Sequence, residues 1–464
     1  MHGYLNFGTI SAKGDGAHAE GYATGGSIDA SGAGAHAEGI ITKALADGAH
    51  AEGYNTTASR YASHAEGEST TASGRASHAE GMYVNAVGDF SHTEGYETNA
   101  SGTYSHAEGS YTTASGTTSH AEGYKTIALG DESHTEGQGT TLSVLGNITG
   151  IVSDREYEIS SISISERTYT LQVGDIVNYG SNYAKVIAID DSEDINIKTI
   201  TVDKNLGVYL DDTINLVKGV SYGRVSHSEG YLTAATGNYS HAEGEETTAS
   251  GETAHAEGGG TTASNYYSHA EGVKTTASGF YSHAEGADTT ASGEAAHAEG
   301  WDTTALGIYS HAEGSYTTAS GESSHAEGCK TTASSDYSHA GGIGTIANQE
   351  AMTAIGKYNS SVNTNNTLFV VGNGTDTDNR KDAFVVKNNG DVFINPLNSN
   401  LLISLYDLIY KVSSTYLIYS SSSNNKVDPN NTGSLPTIIS NTYSNGYGLI
   451  LFDTVCTSIG NTAF

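Results

Sequence analysis

The chain has 464 residues, of which 20 are basic and 53 acidic, so its formal net charge is −33. This charge excludes a nucleic-acid-binding protein, because phosphate contacts need clusters of Lys and Arg. It also disfavours binding to an anionic membrane surface. Only 36% of the residues are hydrophobic, while Gly fills 58 positions and Cys only 2, so a conventional core, a disulfide scaffold and a Cys-based zinc module are all excluded for most of the chain.

The chain begins Met1-His2-Gly3-Tyr4-Leu5, with neither the basic nor the apolar region of a signal peptide. No stretch approaches the ~18 apolar residues of a membrane span. We therefore expect a protein that is not inserted in a membrane.

Histidine recurs at a fixed interval in two long runs. From His36 to His134 and again from His227 to His339 every step equals fourteen positions, and His18 precedes the first run by 18. Seventeen of these 18 histidines are followed by x-Glu-Gly. A fixed period indicates a solenoid in which each coil stacks on its neighbours.

A unit of this length is too short for a helical hairpin, and the Gly, Ser and Thr content opposes helix. Two short strands joined by two turns fit the unit. His64 and Glu66 then share one strand face while Ala65 takes the other, and residues 70–73 form the second strand. The sequence thus predicts an all-β, parallel β-roll of 14-residue coils.

Glycine is expected to supply the turns of each coil, as at Gly67 and Gly74. The inward Ala, Ser and Gly side chains make a thin core, and burial contributes only about 25 cal/mol per Å² of apolar surface. One roll alone is therefore expected to be unstable, and we predict that copies associate along their length as a homotrimer.

The unit Ser-His-Ala-Glu-Gly-x-x-Thr-Thr-Ala-Ser-Gly resembles the head-domain repeat of trimeric autotransporter adhesins. It is more similar still to the His-Ala-Glu-Gly variant of phage tail fibres and related virion proteins. Thr353-Ala354-Ile355-Gly356, one period beyond His339, carries the apolar adhesin form. The resemblance covers residues 11–138 and 223–358, and it implies a left-handed parallel β-roll with three chains around one axis.

The same resemblance aligns the His and Glu positions with apolar positions that face the trimer axis. It implies structural His–Glu ladders at the subunit interface, represented by His64, Glu66, His78, Glu80, His106, Glu108, His241, Glu243, His283, Glu285, His311 and Glu313. Zinc or nickel binding is the alternative, but a group repeated in every coil is more typical of a scaffold. The His-x-Glu of zinc deaminases also needs a downstream Pro-Cys-x-x-Cys, which this chain lacks. We expect no metal, no cofactor and no catalytic residue.

The two runs of histidine are separated by 93 residues from His134 to His227, which is 79 more than the period. Residues 148–220 are rich in Ile, Val and Tyr with period-2 alternation, as in the stretch Tyr183–Ile189. This composition predicts a small inserted β-barrel or sandwich that protrudes from the roll. A receptor-binding knob and a decoration that stiffens the fibre both remain open.

After Gly356 the repeat ends. Residues 367–372 and 383–387 are expected to pair, and Asn388-Asn389-Gly390 is a hairpin turn. The segment resembles the cap that follows such repeats in phage fibres. The loop 373–378 offers oxygen ligands for calcium, or it is a plain polar turn.

The last segment is expected to be β-rich, although its first residues fit either a helix or a strand. The apolar spacing at Leu401, Leu405, Leu408 and Val412 fits one helical face, which three copies could pair as a coiled coil. A strand over 401–406 fits it as well. Aromatic side chains then crowd this end, and recognition surfaces favour exposed tyrosine. The candidate receptor-facing residues are Tyr416, Tyr419, Tyr443 and Tyr447, with packing inside a small β-domain as the alternative.

These features predict five segments, namely 1–138 (first roll), 139–222 (insert), 223–358 (second roll), 359–395 (cap) and 396–464 (C-terminal region). The expected function is a structural fibre of a phage or phage-like particle that contributes to host attachment. Its expected partners are further copies of itself, other virion proteins and a host cell-surface glycan or protein receptor, and its expected location is the virion. The alternative is a trimeric adhesin on a bacterial cell surface. An enzyme is less favoured, because glycosidases use one acidic pair in a groove rather than a Glu in every coil.

Overall fold

The computed structural model describes residues 8–23, 25–153, 155–160, 175–179, 182–191, 197–208, 213–218, 220–360, 366–395, 403–404, 416–420, 438–444 and 447–452. The chain forms two compact units, Met1–Asp288 and Thr289–Phe464. Over the described residues the fold is all-β without any helix, and its main element is a parallel solenoid with a 14-residue period. The predicted fold class is confirmed to that extent.

Each coil of the first unit has one long and one short strand. The long strands are His18–Gly21, His36–Ile40, His50–Tyr54, His64–Glu68, His78–Met82, His92–Tyr96, His106–Ser110, His120–Tyr124, His134–Gln138, His227–Tyr231, His241–Glu245, His255–Gly259, His269–Val273 and His283–Ala287. The short strands are Ile10–Ala12, Ile28–Ala30, Lys43–Ala44, Thr57–Ala58, Thr71–Ala72, Asn85–Ala86, Asn99–Ala100, Thr113–Ala114, Ile127–Ala128, Val220–Ser221, Ala234–Ala235, Thr248–Ala249, Thr262–Ala263 and Thr276–Ala277. Long strands pair only with long strands and short with short, so the coil has two parallel sheets.

The coils stack without any shift in register. His64 pairs with His78 and Glu66 with Glu80, and the same pairing recurs along the unit. Parallel strands lie about 4.8 Å apart, so each repeat position becomes a straight row of like side chains.

The inward face of the coil is as predicted from the alternation. Ala65 and Ala72 are fully buried, and the Ser77 hydroxyl, also buried, donates to the Gly74 carbonyl at 2.8 Å. The same Ser–Gly hydrogen bond closes the turn in eight further coils. The short strand is Thr71–Ala72, within the predicted 70–73.

The turns differ from the expectation in one respect. The left-handed residues of the two turns are not glycines, because Ser69 and Ala76 carry φ values of 56° and 51°. Glycine is required for a close approach instead. A Cβ on Gly67, where φ is +107°, would lie 2.0 Å from the Gly81 carbonyl oxygen, and one on Gly74 would lie 1.9 Å from that of Gly88.

The interruption does not disturb the stacking of the coils on either side. His134 pairs directly with His227, and their rings are 4.8 Å apart. Between them, six antiparallel strands pair in a closed ring. They are Thr140–Ser153, Glu156–Ser160, Ile176–Tyr179, Asn182–Asp191, Ile197–Val202 and Thr213–Lys218.

These antiparallel strands contact the solenoid through one lysine and an apolar cluster. The Lys185 ammonium donates to the carbonyls of Thr236 and Ser250 at 3.1 and 2.8 Å. Burial lowers the pKa of Lys185 to about 8, while the Asp203 carboxylate opposes that shift. Ile127 of the solenoid shares an apolar cluster with residues of the antiparallel strands.

The second unit repeats the coil and then leaves it. Its long strands are His297–Trp301, His311–Ser315, His325–Cys329, His339–Ile343 and Thr353–Lys357, and its short strands are Thr290–Ala291, Thr304–Ala305, Thr318–Ala319, Thr332–Ala333 and Ile346–Ala347. Thr367–Asn373 adds to the last coil in parallel and pairs antiparallel with Asp382–Lys387, followed by Val392–Ile394 and Ile403–Ser404. The predicted hairpin is therefore confirmed, with Gly390 at φ +89° in its turn.

In the loop at 373–378, the Asp376 carboxylate accepts from the amides of Asp378 and Asn379 and from the Thr375 hydroxyl. These hydrogen bonds of the Asp376 carboxylate stabilise the turn. The apolar spacing at Leu401, Leu405, Leu408 and Val412 lies outside the described residues. The final sheet has the strands Tyr416–Ser420, Ile438–Ser444 and Tyr447–Phe452, with the last of these in the centre.

Candidate functional site

The outward face of the long strands carries a histidine ladder in each unit. Neighbouring rings in the first unit stack with centroids 4.6 Å apart at His64–His78 and 4.8 Å apart at His106–His120, with interplanar angles of 15° and 6°. His241 stacks in the same way on His255 at 4.9 Å. The spacing equals the rise between strands, so the backbone register places the rings.

Most ladder histidines lie within 4.0 Å of a carboxylate of the neighbouring row. Nε2 of His64 is 3.3 Å from Glu66, that of His106 is 3.8 Å from Glu108 and that of His241 is 3.6 Å from Glu243. The paired residues lie two apart in sequence, on the same strand face, as the alternation predicted. His78 and Glu80 hold the same register positions one coil beyond His64 and Glu66.

His283 marks a change in this pairing. Its Nε2 lies 3.9 Å from Glu285 in its own coil and 3.8 Å from Glu271 in the preceding one. In the second unit, His311 approaches Glu299 at 3.8 Å, and Glu313 accepts from His325 at 3.2 Å. Either neighbour can therefore partner a ladder histidine, and the ladder is a collective structure rather than a set of fixed pairs.

The ladder is only partly covered by the chain itself. The side chains of His64 and Glu66 are 36% and 39% exposed, and this degree of exposure recurs along the row. The face is therefore a strip of partly exposed rings and carboxylates that runs along the coils of each unit.

Burial and the charges of adjacent rings lower the pKa of His64, with His78 and His50 as the ring neighbours. The same direction and the same leading cause hold for His106 and His120. Protonation of these three rings is thus opposed by the fold, and they are held neutral to lower pH than free imidazole.

One glutamate of the neighbouring row, Glu108, shows the opposite direction. Burial and hydrogen bonds to Glu122 and Glu94 raise the pKa of Glu108 to about 7. Repulsion along a row of like carboxylates favours a shared proton. Further along the first unit, a shallow acidic groove is lined by Glu243, Glu257, Glu271 and Glu285.

Triads such as His64, Glu66 and His78 bring three potential metal ligands within 4.8 Å of one another. However, the rings are nearly parallel with centroids 4.6 Å apart, so equivalent nitrogens keep a similar separation. Two nitrogens that bind one ion at about 2.1 Å each cannot lie more than about 4.2 Å apart. Parallel rings also direct their lone pairs side by side, so the ladder as it stands does not converge on an ion.

The candidate tyrosines of the C-terminal region lie in the three-stranded sheet. Tyr419 and Tyr443 both pair with Gly448 of the central strand, while Tyr416 pairs with Leu451, and Tyr447 occupies the start of that strand. The backbone therefore brings Tyr419, Tyr443 and Tyr447 to one end of this sheet. Their side chains lie outside the described part of the chain.

One feature was missed at the sequence level. A groove of about 380 Å³ is lined by Tyr83, Asn85, Glu97, Thr98 and Asn99. The sequence signal that could have revealed the groove is a departure from the repeat, because Asn fills two successive repeat positions where the flanking coils have Thr.

No family model and no curated protein matches this chain. No described residue belongs to a helix of the length and apolarity needed to cross a membrane.

Proposed function

We propose that the chain is a structural fibre protein of a phage or phage-like particle, in which three copies associate along their length and contribute to attachment to a host surface. The supporting observation is the strip of His and Glu side chains. It repeats in register on one face of the coils, and its residues at His64–Glu66, His120–Glu122 and His241–Glu243 are about one-third exposed. A second copy with the same repeat offers a matching strip.

The chemistry of the strip is compatible with close approach of several copies. His120 lies 3.6 Å from Glu122, and burial lowers the pKa of His120, so a second copy approaches a ring whose charging the fold opposes. The raised pKa of Glu108 lets protonation relieve the remaining repulsion. Association would cover the exposed rings and supplement the thin alanine core. We propose a left-handed coil and a threefold axis on the resemblance of the His-Ala-Glu-Gly repeat to virion fibres.

The antiparallel strands between residues 140 and 218 are proposed to form an inserted domain on this fibre. Their apolar cluster includes the buried residues Tyr157, Val186 and Ile200, a set able to support a small domain. The hydrogen-bonded anchor at Lys185 and the apolar cluster around Ile127 favour a fixed attachment to the coils. The C-terminal sheet is proposed as a second projecting element.

Immunogold electron microscopy tests the assignment. Antibodies raised against the purified chain are applied to a culture that contains both producing cells and released particles. The proposal expects gold on particle appendages. Gold confined to the envelope of intact producing cells would overturn it in favour of a bacterial trimeric adhesin.

A further inference from the structure

Two neighbouring short strands depart from the repeat at the same position. Asn85 and Asn99 pair with each other in register, whereas the next strands on either side begin with Thr71 and Thr113. Neither amide side chain has a hydrogen-bond partner among the residues that the structure describes. Two side-by-side amides with free donors and acceptors therefore lie between Thr71 and Thr113 in the row that these short strands form.

These amides form the floor of the groove noted above. Tyr83 and Glu97, which line it with Thr98, both occupy the left-handed turn position, at φ values of 60° and 52°. At about 380 Å³, the groove falls at the lower end of the size range of small-ligand sites. Five residues line it, far fewer than the roughly 20–30 residues a side of a stable protein interface.

An exposed aromatic cluster continues from the groove. Tyr83 contacts Tyr96 edge-on at 6.1 Å, Tyr96 contacts Tyr111 at 5.3 Å, and Tyr111 contacts Tyr124 at 5.9 Å. Tyr83 is 47% exposed. A contiguous exposed aromatic patch beside a polar groove is typical of a binding site.

The groove does not use the His–Glu strip. Its residues come from short strands and from the turns that precede them, whereas His78, Glu80, His92 and Glu94 lie on the long strands of the same coils. Association of copies through the strip therefore leaves the groove residues outside the contact.

We propose that this groove binds a neutral hexopyranose unit of a cell-surface glycan. The inference rests on the proposed attachment function and names the site and ligand class for it. The face of Tyr83 packs against the C–H face of the sugar ring. The amides of Asn85 and Asn99 donate to and accept from vicinal hydroxyls, and the Glu97 carboxylate accepts from a third.

Charge decides between neutral and anionic sugars. The chain carries a net charge of −33, and the groove itself contains Glu97 but no basic residue. Sialic acids and phosphate-bearing glycans would meet an uncompensated carboxylate. A neutral sugar instead uses that carboxylate as a hydroxyl acceptor.

Isothermal titration calorimetry of the full chain with maltotetraose, cellotetraose, the N-acetylglucosamine tetramer and a sialic acid tetramer tests the site. We expect saturable binding of at least one neutral tetramer with a Kd of about 1 mM. The double variant Asn85→Thr/Asn99→Thr restores the residue of the flanking coils, so it retains the fold. We expect it to weaken binding about tenfold or more, the equivalent of one lost hydrogen bond.

Tyr83→Ser should weaken binding similarly, and Ser69 already fills the equivalent turn position at φ 56°. Tyr316→Ser is the matched control, because Tyr316 has φ 57° and is 49% exposed in a coil without the Asn pair. It should leave binding unchanged. Saturation by no neutral tetramer, preference for the sialic acid tetramer, or unchanged binding by the Asn→Thr variant would each overturn the assignment. Gold label on the cell envelope in the immunogold experiment would instead overturn the fibre proposal, without contradicting the sugar-binding assignment.

Discussion

The solenoid and the antiparallel strands between residues 140 and 218 bury different kinds of side chain. Ala65 and Ala72 are typical of the solenoid interior, whereas Val186, Ile200 and Tyr157 fill the centre of the antiparallel strands. Burial of apolar area contributes about 25 cal/mol per Å². The antiparallel strands therefore gain much more per residue from side-chain burial than a coil does.

The solenoid compensates with backbone contacts. Each coil hydrogen-bonds to the next in register, as in the bond from the His64 amide to the Ser77 carbonyl at 2.8 Å. The comparison indicates that the solenoid is sensitive to added atoms and the antiparallel strands to removed atoms. It also indicates why coils with so little apolar area would gain from the proposed association with other copies.

The largest effect is expected where the coils approach most closely. Gly67→Ala places a Cβ 2.0 Å from the Gly81 carbonyl oxygen at φ +107°, so the stacking of that coil must open. We expect a loss of about 4 kcal/mol in the free energy of unfolding of the solenoid, measured by denaturant titration. Gly259→Ala is the control, because its Cβ would meet nothing within 4 Å. Equal losses in the two variants would contradict the close-approach account.

A change in the solenoid core should have the next largest effect. Ala65 is fully buried, and Ala65→Leu overfills the space between the two sheets, at an expected cost of about 3 kcal/mol. Ala65→Thr is the control, since Thr93 already fills the corresponding position, fully buried. Circular dichroism on heating measures both. A leucine variant as stable as the threonine variant would show that the interior has spare room.

The antiparallel strands should instead be sensitive to the removal of side-chain atoms. Val186 is fully buried, and Val186→Ala leaves a cavity that we expect to cost about 2 kcal/mol. Hydrogen exchange should quicken over residues 176–202 while the coils around His64 keep their protection. Equal acceleration in those coils would show that the two regions unfold as one and would remove the contrast between them.

The smallest effect concerns pH. The folded-state pKa of His64 and of His106 lies below the ordinary value, so their contribution is present above pH 6.5 and is lost as the pH falls through the folded pKa. Glu108, with its pKa raised to about 7, contributes stability at low pH that is lost as the pH rises through 7. Between about pH 6.5 and 7 only the Glu108 slope acts, and below pH 6.5 the lowered histidine pKa values oppose it, so we expect the melting temperature to pass through a maximum near pH 6.5.

The double variant His106→Thr/Glu108→Ile copies the natural coil at Thr353 and Ile355, which pairs in register with the coil of His339. It should fold normally and reduce both slopes of the pH profile. A melting temperature that stays constant at every pH from 7.5 to 5 in the parent chain would contradict the ladder account.

The regular period predicted the coil because each residue type has one role at one position. His64 and Glu66 alternate with the buried Ala65, so the outward and inward faces followed from spacing alone. The left-handed turn residues Ser69 and Ala76 could not be predicted, because no local signal marks a non-glycine residue for positive φ. The groove at Asn85 was also missed, because its lining depends on side chains from successive coils that meet only after stacking.

Solution mass, measured by light scattering coupled to size exclusion at pH 7.5 and pH 5, tests the central claim that copies associate through the His–Glu strip. The account predicts three times the 48.0 kDa mass of one chain at pH 7.5, and a trimer that loosens at pH 5 as the ladder becomes charged. A stable 48.0 kDa monomer at pH 7.5 would contradict it, since a single roll with an alanine core would then stand alone.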